Sequence, residues 1–214
     1  MKFKKGDTVL KELREHLPFT LVVSLLAGVL VALGYVFGRV PSESLFEVVH
    51  PLHVLVSAAA TAGIFIKYKP GFARSGFGGM GVWGYRKIWE AVFVGIVGAI
   101  LIGSISDVLL PFLAGRIFSL GTVFHLPIFE NPFLILGSAV AGSLFGLCFG
   151  LFRLNHSLHV FLSVFASLFY LLAFSVEVSA WIVLGFSLIV FLFVLIPCCI
   201  SDIVFPILFV NRRG

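Results

Sequence analysis

Charge is what this chain has least of. Only 12% of its 214 residues are Asp, Glu, Lys or Arg, about half the share found in an ordinary soluble domain. So few charges cannot cover a water-facing surface. That excludes a soluble enzyme, a disordered chain and a conventional nucleic-acid-binding domain. Cysteine is scarce as well: Cys148, Cys198 and Cys199 lie inside apolar runs and form no C-x-x-C pair. A disulfide scaffold and a zinc ribbon are thereby excluded, and the three read as buried, inert thiols. The glycine-rich stretch 70–87 lacks G-x-x-x-x-G-K-[ST] and its strand–loop–helix setting, so it reads as a loop against lipid headgroups rather than a phosphate cradle. The first apolar run has no small-residue cleavage site near its end and reads as a retained helix, not a signal peptide.

What is present is hydrophobic length. Apolar residues make up 60% of the chain, and the mean hydropathy is +1.14. Apolar stretches occupy 18–38, 50–67, 90–115, 131–152, 156–175 and 177–210. A bilayer-crossing helix needs about 20 such residues, so the pattern predicts six crossings in an all-α, polytopic membrane protein. The third and sixth stretches are long enough to tilt or to contain breaks.

The basic residues set the expected orientation. Placing the N-terminus inside puts Lys2, Lys4, Lys5, Lys11, Arg14, Lys67, Lys69, Arg74, Arg86, Lys87, Arg153, Arg212 and Arg213 on the cytoplasmic face. Only Arg39 and Arg116 then fall outside, which satisfies the positive-inside rule. Both termini are expected in the cytoplasm, with the chain in the cell membrane. The net charge of +5 therefore reports orientation, and nucleic acid is not an expected partner.

The chain also repeats itself. His50-Pro-Leu-His53-Val-Leu-Val-Ser57 recurs as His156-Ser-Leu-His159-Val-Phe-Leu-Ser163, and Ile105-Ser106-Asp107-Val-Leu-Leu-Pro111 recurs as Ile200-Ser201-Asp202-Ile-Val-Phe-Pro206. Four of only six histidines are used in the first pair. The expected organisation is a cytoplasmic segment 1–17, a first three-helix unit 18–115, an outer loop 116–130, a second unit 131–210 and a cytoplasmic tail 211–214. An odd helix number makes the second copy enter the membrane from the opposite side. The expectation is thus two inverted three-helix repeats, an architecture of secondary transporters whose sites lie near the midplane.

Asp107 and Asp202 are the carboxylates set deep within the expected spans. A charge there is expensive and calls for a partner or a wet cavity. Pro111 and Pro206 each remove an α-helical hydrogen bond to the aspartate carbonyl four residues earlier, so a helix break is expected beside each carboxylate. His50 and His53, like His156 and His159, share a helix face. Pro51 on one copy, and Asn155 or Ser157 on the other, suggest that each pair opens its helix. Two imidazoles and a carboxylate per unit suit Zn²⁺, Mn²⁺, Fe²⁺ or Ni²⁺ and suit Ca²⁺ or Mg²⁺ poorly. The expected metal set is therefore His50, His53, Asp107, His156, His159 and Asp202, supported by Ser57, Ser106, Ser163 and Ser201. His125 and Glu130 in the outer loop read as ordinary loop polarity, and Gly28, Gly34, Gly142 and Gly146 as sites of close helix packing.

The leading functional expectation is a transporter or channel for a divalent transition-metal ion, with no catalytic residues. A proton-coupled carrier of a small solute would use the same Asp and His residues as a relay. An intramembrane metalloenzyme would use them to activate water; duplication in opposite orientations counts against it. Imidazoles three apart on one helix cannot occupy both axial positions of a haem.

Overall fold

The computed structural model describes residues 5–38, 41–69, 82–149, 152–176 and 178–210. Among these residues every regular element is helical. The elements are α1 (Lys5–Val36), α2 (Ser42–Tyr68), α3 (Val82–Ser104), α4 (Leu110–Ile117), α5 (Pro127–Glu130), α6 (Pro132–Phe149), α7 (Phe152–Phe174), α8 (Ala180–Cys199) and α9 (Phe205–Phe209). Two π-helical segments, Ile105–Leu109 and Ile200–Val204, join α3 to α4 and α8 to α9 without a loop. Residues 70–81 of the glycine-rich loop, and Lys2, Lys4, Arg39, Arg74, Arg212 and Arg213 of the basic pattern, lie outside the described residues.

Among the described residues, three helices are long and apolar enough to cross a membrane: Ser42–Tyr68, Arg86–Ile117 and His156–Phe174. Leu21–Val36, Pro132–Cys148 and Ile196–Phe209 are shorter apolar helices. The distribution of side chains is inverted relative to a soluble domain. Leu26, Val29, Leu33, Trp89, Phe93, Phe133 and Trp181 face outward, whereas His53, Ser57, Asp107, His159, Ser163 and Asp202 are buried. A water-soluble monomer rarely exposes so much contiguous apolar surface. The chain has the composition and the surface of a membrane protein.

α2 lies at the centre and packs most extensively on α6 and α7. Its run Ala58-Ala59-Ala60-Thr61-Ala62 is fully buried, and these small side chains let other helices approach closely. Gly142 and Gly146 complete the fit from α6. A Cβ at Gly142 would collide with the backbone carbonyl of Leu55, and one at Gly146 with that of Ala59. Around this contact sit Val54, Ala58, Ala99, Ile135 and Ala139. A larger cluster joins α1, α2, α7 and α8 through Val31, Phe46, Val164, Tyr170 and Val190.

One end of the helix assembly is stitched by hydrogen bonds. The Tyr35 hydroxyl donates to the Val178 carbonyl at 2.6 Å; the Val123 and Val176 N–H groups donate to Phe174 and Leu120 carbonyls at 2.8 and 3.0 Å. α2 starts there, since Ser42 and Tyr35 line one cleft with Ser175 and Val178. At about 1.5 Å per residue, its other terminus lies some 40 Å away. Lys69 there pairs with Glu90 at 2.6 Å.

The starts of α1, α2 and α7 lie earlier in the chain than the expected apolar stretches. The polar segment before the first expected span, where Lys11, Glu12, Arg14 and Glu15 suit an interfacial helix, is helical from Lys5 and runs into the apolar stretch through Pro18 as one helix, α1. Pro18 removes only the bond to the Arg14 carbonyl, and both residues are exposed, so the freed group is not stranded in a dry core. The histidine pairs do not open their helices either. α2 begins at Ser42 and α7 at Phe152, so both pairs lie beyond the first turn. Pro51 is interior, and Asn155 and Ser157 are not caps. Phe46, buried beneath His50, extends the apolar face of α2 backward and carries the helix past the proline.

Candidate metal centre in the helix core

The aspartates owe their position to a break in helical register. Proline has no N–H, so an α-helix cannot close normally at Pro111 or Pro206. The backbone widens just ahead of each: the Leu110 N–H donates to the Ile105 carbonyl and the Phe205 N–H to the Ile200 carbonyl. These are i to i−5 bonds, characteristic of π-helix. The expected break is thus a local widening, and each helix continues beyond it. Within the two segments Ser106, Asp107, Ser201 and Asp202 are completely buried.

Each aspartate receives two imidazoles on one oxygen. Asp107 Oδ2 accepts from Nδ1–H of His50 at 2.9 Å and from Nδ1–H of His53. Asp202 Oδ2 accepts from Nδ1–H of His156 at 2.8 Å and of His159 at 2.5 Å. The remaining oxygen of Asp107 accepts from the Ser106 hydroxyl at 2.9 Å and the Ser163 hydroxyl at 2.7 Å. A carboxylate has about four lone-pair sites. Asp107 fills all four with donors, which is how an ionised carboxylate is tolerated without water.

The two clusters are interlocked. Ser57 and Ser163 stand seven residues after the first histidine of their motifs, and Thr61 and Ser167 eleven after. Ser163 from α7 serves Asp107, and the Ser167 hydroxyl donates to the Ser106 carbonyl at 3.0 Å. Reciprocally, Thr61 from α2 donates to Asp202 Oδ1 at 3.2 Å, and Ser57 lies 3.5 Å from the Ser201 hydroxyl. Each histidine-bearing helix therefore holds one aspartate by its imidazoles and the other, two turns deeper, by its hydroxyls.

The clusters also meet directly. The rings of His53 and His159 stack with centroids 4.5 Å apart and planes 22° from parallel. Six ionisable side chains thus form one continuous array: His50, Asp107, His53, His159, Asp202, His156. All six metal residues named from the sequence belong to it, as do Ser57, Ser106, Ser163 and Ser201. Pro111 and Pro206 flank it. Within the array, the Nε2 of His53 is buried without a hydrogen-bond partner.

Three participants were not singled out from the sequence. Thr61 and Ser167 carry a hydroxyl at matched positions, one turn beyond Ser57 and Ser163, and that recurrence was the available signal. The third is Cys198, read above as inert: its sulfur comes within 4.8 Å of ligand atoms of both His53 and His159. The sulfur of neighbouring Cys199 lies 3.9 Å from His156 Nε2.

One end of the array adjoins a cleft of about 230 Å³ lined by Glu47, His50, Pro51, His125 and Asn131. His125, which lines this cleft, is paired with Glu130 at 2.9 Å and stacked on Phe174. The other five members of the array are at most 1% exposed.

Chemically, the site offers imidazoles oriented by buried carboxylates. A carboxylate on one ring nitrogen fixes the tautomer and leaves the other nitrogen's lone pair for a cation, the usual support for a metal-binding histidine. Among the described residues, three groups of side chains bring ligand atoms together closely enough for a metal ion: His50–His53–Asp107, His156–His159–Asp202 and His53–His159–Cys198. Comparison with known proteins gives no matching family model, curated protein or solved structure.

Proposed function

We propose that the chain is a small transporter or channel for a divalent transition-metal ion, built as two inverted three-helix units in the cell membrane. In this reading six crossings are made by α1, α2, α3–α4, α6, α7 and α8–α9, with both termini in the cytoplasm. The imidazoles of His50, His53, His156 and His159 take the ion, Asp107 and Asp202 orient them, Ser106, Ser163 and Thr61 hold the carboxylates, and Ser57 and Ser201 support them as a contacting pair.

The observation that carries this reading is the joined array in a dry core. When ionised, the two aspartates bring two negative charges, and among the described residues no Lys or Arg is their partner. Uncompensated buried charge is very costly, and one dication balances it. The duplicated and reciprocal contacts suit an element that faces each side of a membrane in turn, with the ion at the repeat interface. Size argues the same way: the cleft beside His50, at about 230 Å³, is below the roughly 300–1,000 Å³ of small-molecule pockets. It admits an ion more readily than an organic solute.

A second reading rests on the same array. Alternating imidazole and carboxylate groups in unbroken contact are the elements of a proton relay, and two protons balance two aspartates as well as one dication does. The deciding experiment is metal analysis and calorimetry on purified protein, comparing the native chain with a His53→Ala/His159→Ala variant, beside metal uptake into proteoliposomes. Bound metal and uptake that both disappear in the variant support the transporter. Proton flux without metal binding favours the relay and ends the metal reading.

A further inference from the structure

We infer that the ion sits at the centre of the array, on His53, His159 and the thiolate of Cys198, and that the preferred cargo is a thiolate-tolerating ion such as Zn²⁺ rather than Mn²⁺. This inference rests on the metal reading above and specifies the ligands and the ion class.

Three observations converge on this position. First, ligand atoms of these three side chains lie within 4.8 Å of one another, and all three residues are at most 1% exposed. Second, His53 has its Nδ1 engaged by Asp107 while its Nε2 is the buried polar atom without a partner. An orphaned imidazole nitrogen in a dry core is expensive, and a coordinated ion would satisfy it. Third, the duplication is broken here. Cys198 stands two residues before Ile200, and its counterpart two residues before Ile105 is Gly103. Gly103 packs against the His53 ring, where a Cβ would lie 3.7 Å from Cε1. One side of the stacked imidazoles therefore carries sulfur and the other carries no side chain.

The aspartates are poor direct ligands in this arrangement, since each already accepts from two imidazoles. They act as orienting carboxylates behind His53 and His159. Ligands on a tetrahedral zinc stand roughly 3.5 Å apart, given bonds of about 2.0–2.3 Å. Binding thus draws the two rings and the sulfur inward. As the Sγ–metal bond forms, the Cys198 S–H bond breaks and its proton passes to an imidazole of the array. Two carboxylates and one thiolate then balance one dication and one imidazolium. A His₂Cys set favours Zn²⁺ over Mn²⁺, because thiolate is a soft donor.

The test uses the purified full-length chain with Co²⁺ as a spectroscopic probe, followed by Zn²⁺ and Mn²⁺ calorimetry. The native protein is expected to bind Co²⁺ with an intense near-ultraviolet thiolate-to-cobalt band. Cys198→Ser should keep its thermal unfolding transition, lose the band and bind Zn²⁺ more weakly by roughly 10–100-fold, with Mn²⁺ little changed. Cys198→Ala provides the same comparison if the serine variant does not fold. Cys199→Ser should keep the band. Co²⁺ bound to the native protein without the band, or a band lost in Cys199→Ser but retained in Cys198→Ser, would overturn the inference while leaving metal transport standing. Native protein that binds none of the three metals would overturn both.

Discussion

His53 and His159 come from separate copies of one motif, yet their rings stack at 4.5 Å while each is anchored to a different aspartate. That contact makes two duplicated half-sites into one. It is available because α2 and α7 lie against each other at the middle of the molecule, with small residues around it. An ion bound to either ring would disturb the other.

The aspartates set the first expectation. Asparagine keeps the size of the side chain but loses the charge, and its amide NH₂ cannot accept the bonds now made by Nδ1–H or a serine hydroxyl. Asp107→Asn and Asp202→Asn should each weaken metal binding by about 10–100-fold, the usual loss when an orienting carboxylate is removed. Calorimetry in a single detergent measures this directly. Unchanged affinity in the double variant would take the carboxylates out of the site.

Much of this centre was legible in the sequence, for a physical reason. Histidine, aspartate and serine are rare in hydrocarbon, so their repetition inside apolar runs carried information that the leucines and phenylalanines did not. What was not legible depended on how helices meet. Nothing in H-x-L-H indicates that both imidazoles share one oxygen, or that Ser163 serves the aspartate of the other motif. Apolar composition also made Cys198 look inert, whereas its chemistry depends on the rings beside it. The start of α2 at Ser42 was missed because Pro51 resembles a first-turn proline. Phe46, one turn before His50, was the residue that argued otherwise.

The crossed hydroxyl contacts give a second expectation. Thr61→Val preserves shape and removes the donor to Asp202 Oδ1. A hydrogen bond to a charged group contributes about 1.5–3 kcal/mol, so the thermal stability of the detergent-solubilised protein should fall by that order. In a double-mutant cycle, Thr61→Val and Asp202→Asn should be strongly non-additive. Additive effects would mean that Thr61 does not hold the carboxylate.

The prolines lead to a third. Pro111→Ala restores an N–H that can bond to the Asp107 carbonyl and pull the π-helical segment toward ordinary α-helix. Such a change rotates Asp107 away from His50 and His53. Helix content by circular dichroism should stay constant while metal affinity drops, and Pro206→Ala should behave alike at Asp202. If both variants bind metal as the native protein does, the widened register is not what positions the carboxylates.

The inverted arrangement makes the last prediction. On the proposed reading, three crossings per unit would place the start of α1 and the loop around α5 on opposite faces of the membrane, with the basic residues on the inner one. Asp7 lies in the first turn of α1, and Phe129 is 81% exposed in α5. Single cysteines introduced as Asp7→Cys and Phe129→Cys, with Cys148 and Cys199 replaced by serine, allow labelling by a membrane-impermeant maleimide in intact cells. Phe129→Cys should label without permeabilisation and Asp7→Cys only after it. Val176, 80% exposed and hydrogen-bonded through its N–H to Leu120 beside the same loop, should follow Phe129 when changed to cysteine. Labelling of positions 7 and 129 from one side would require an even number of crossings between them. The two units would then be parallel, and His50 and His156 would no longer approach the array from opposite faces.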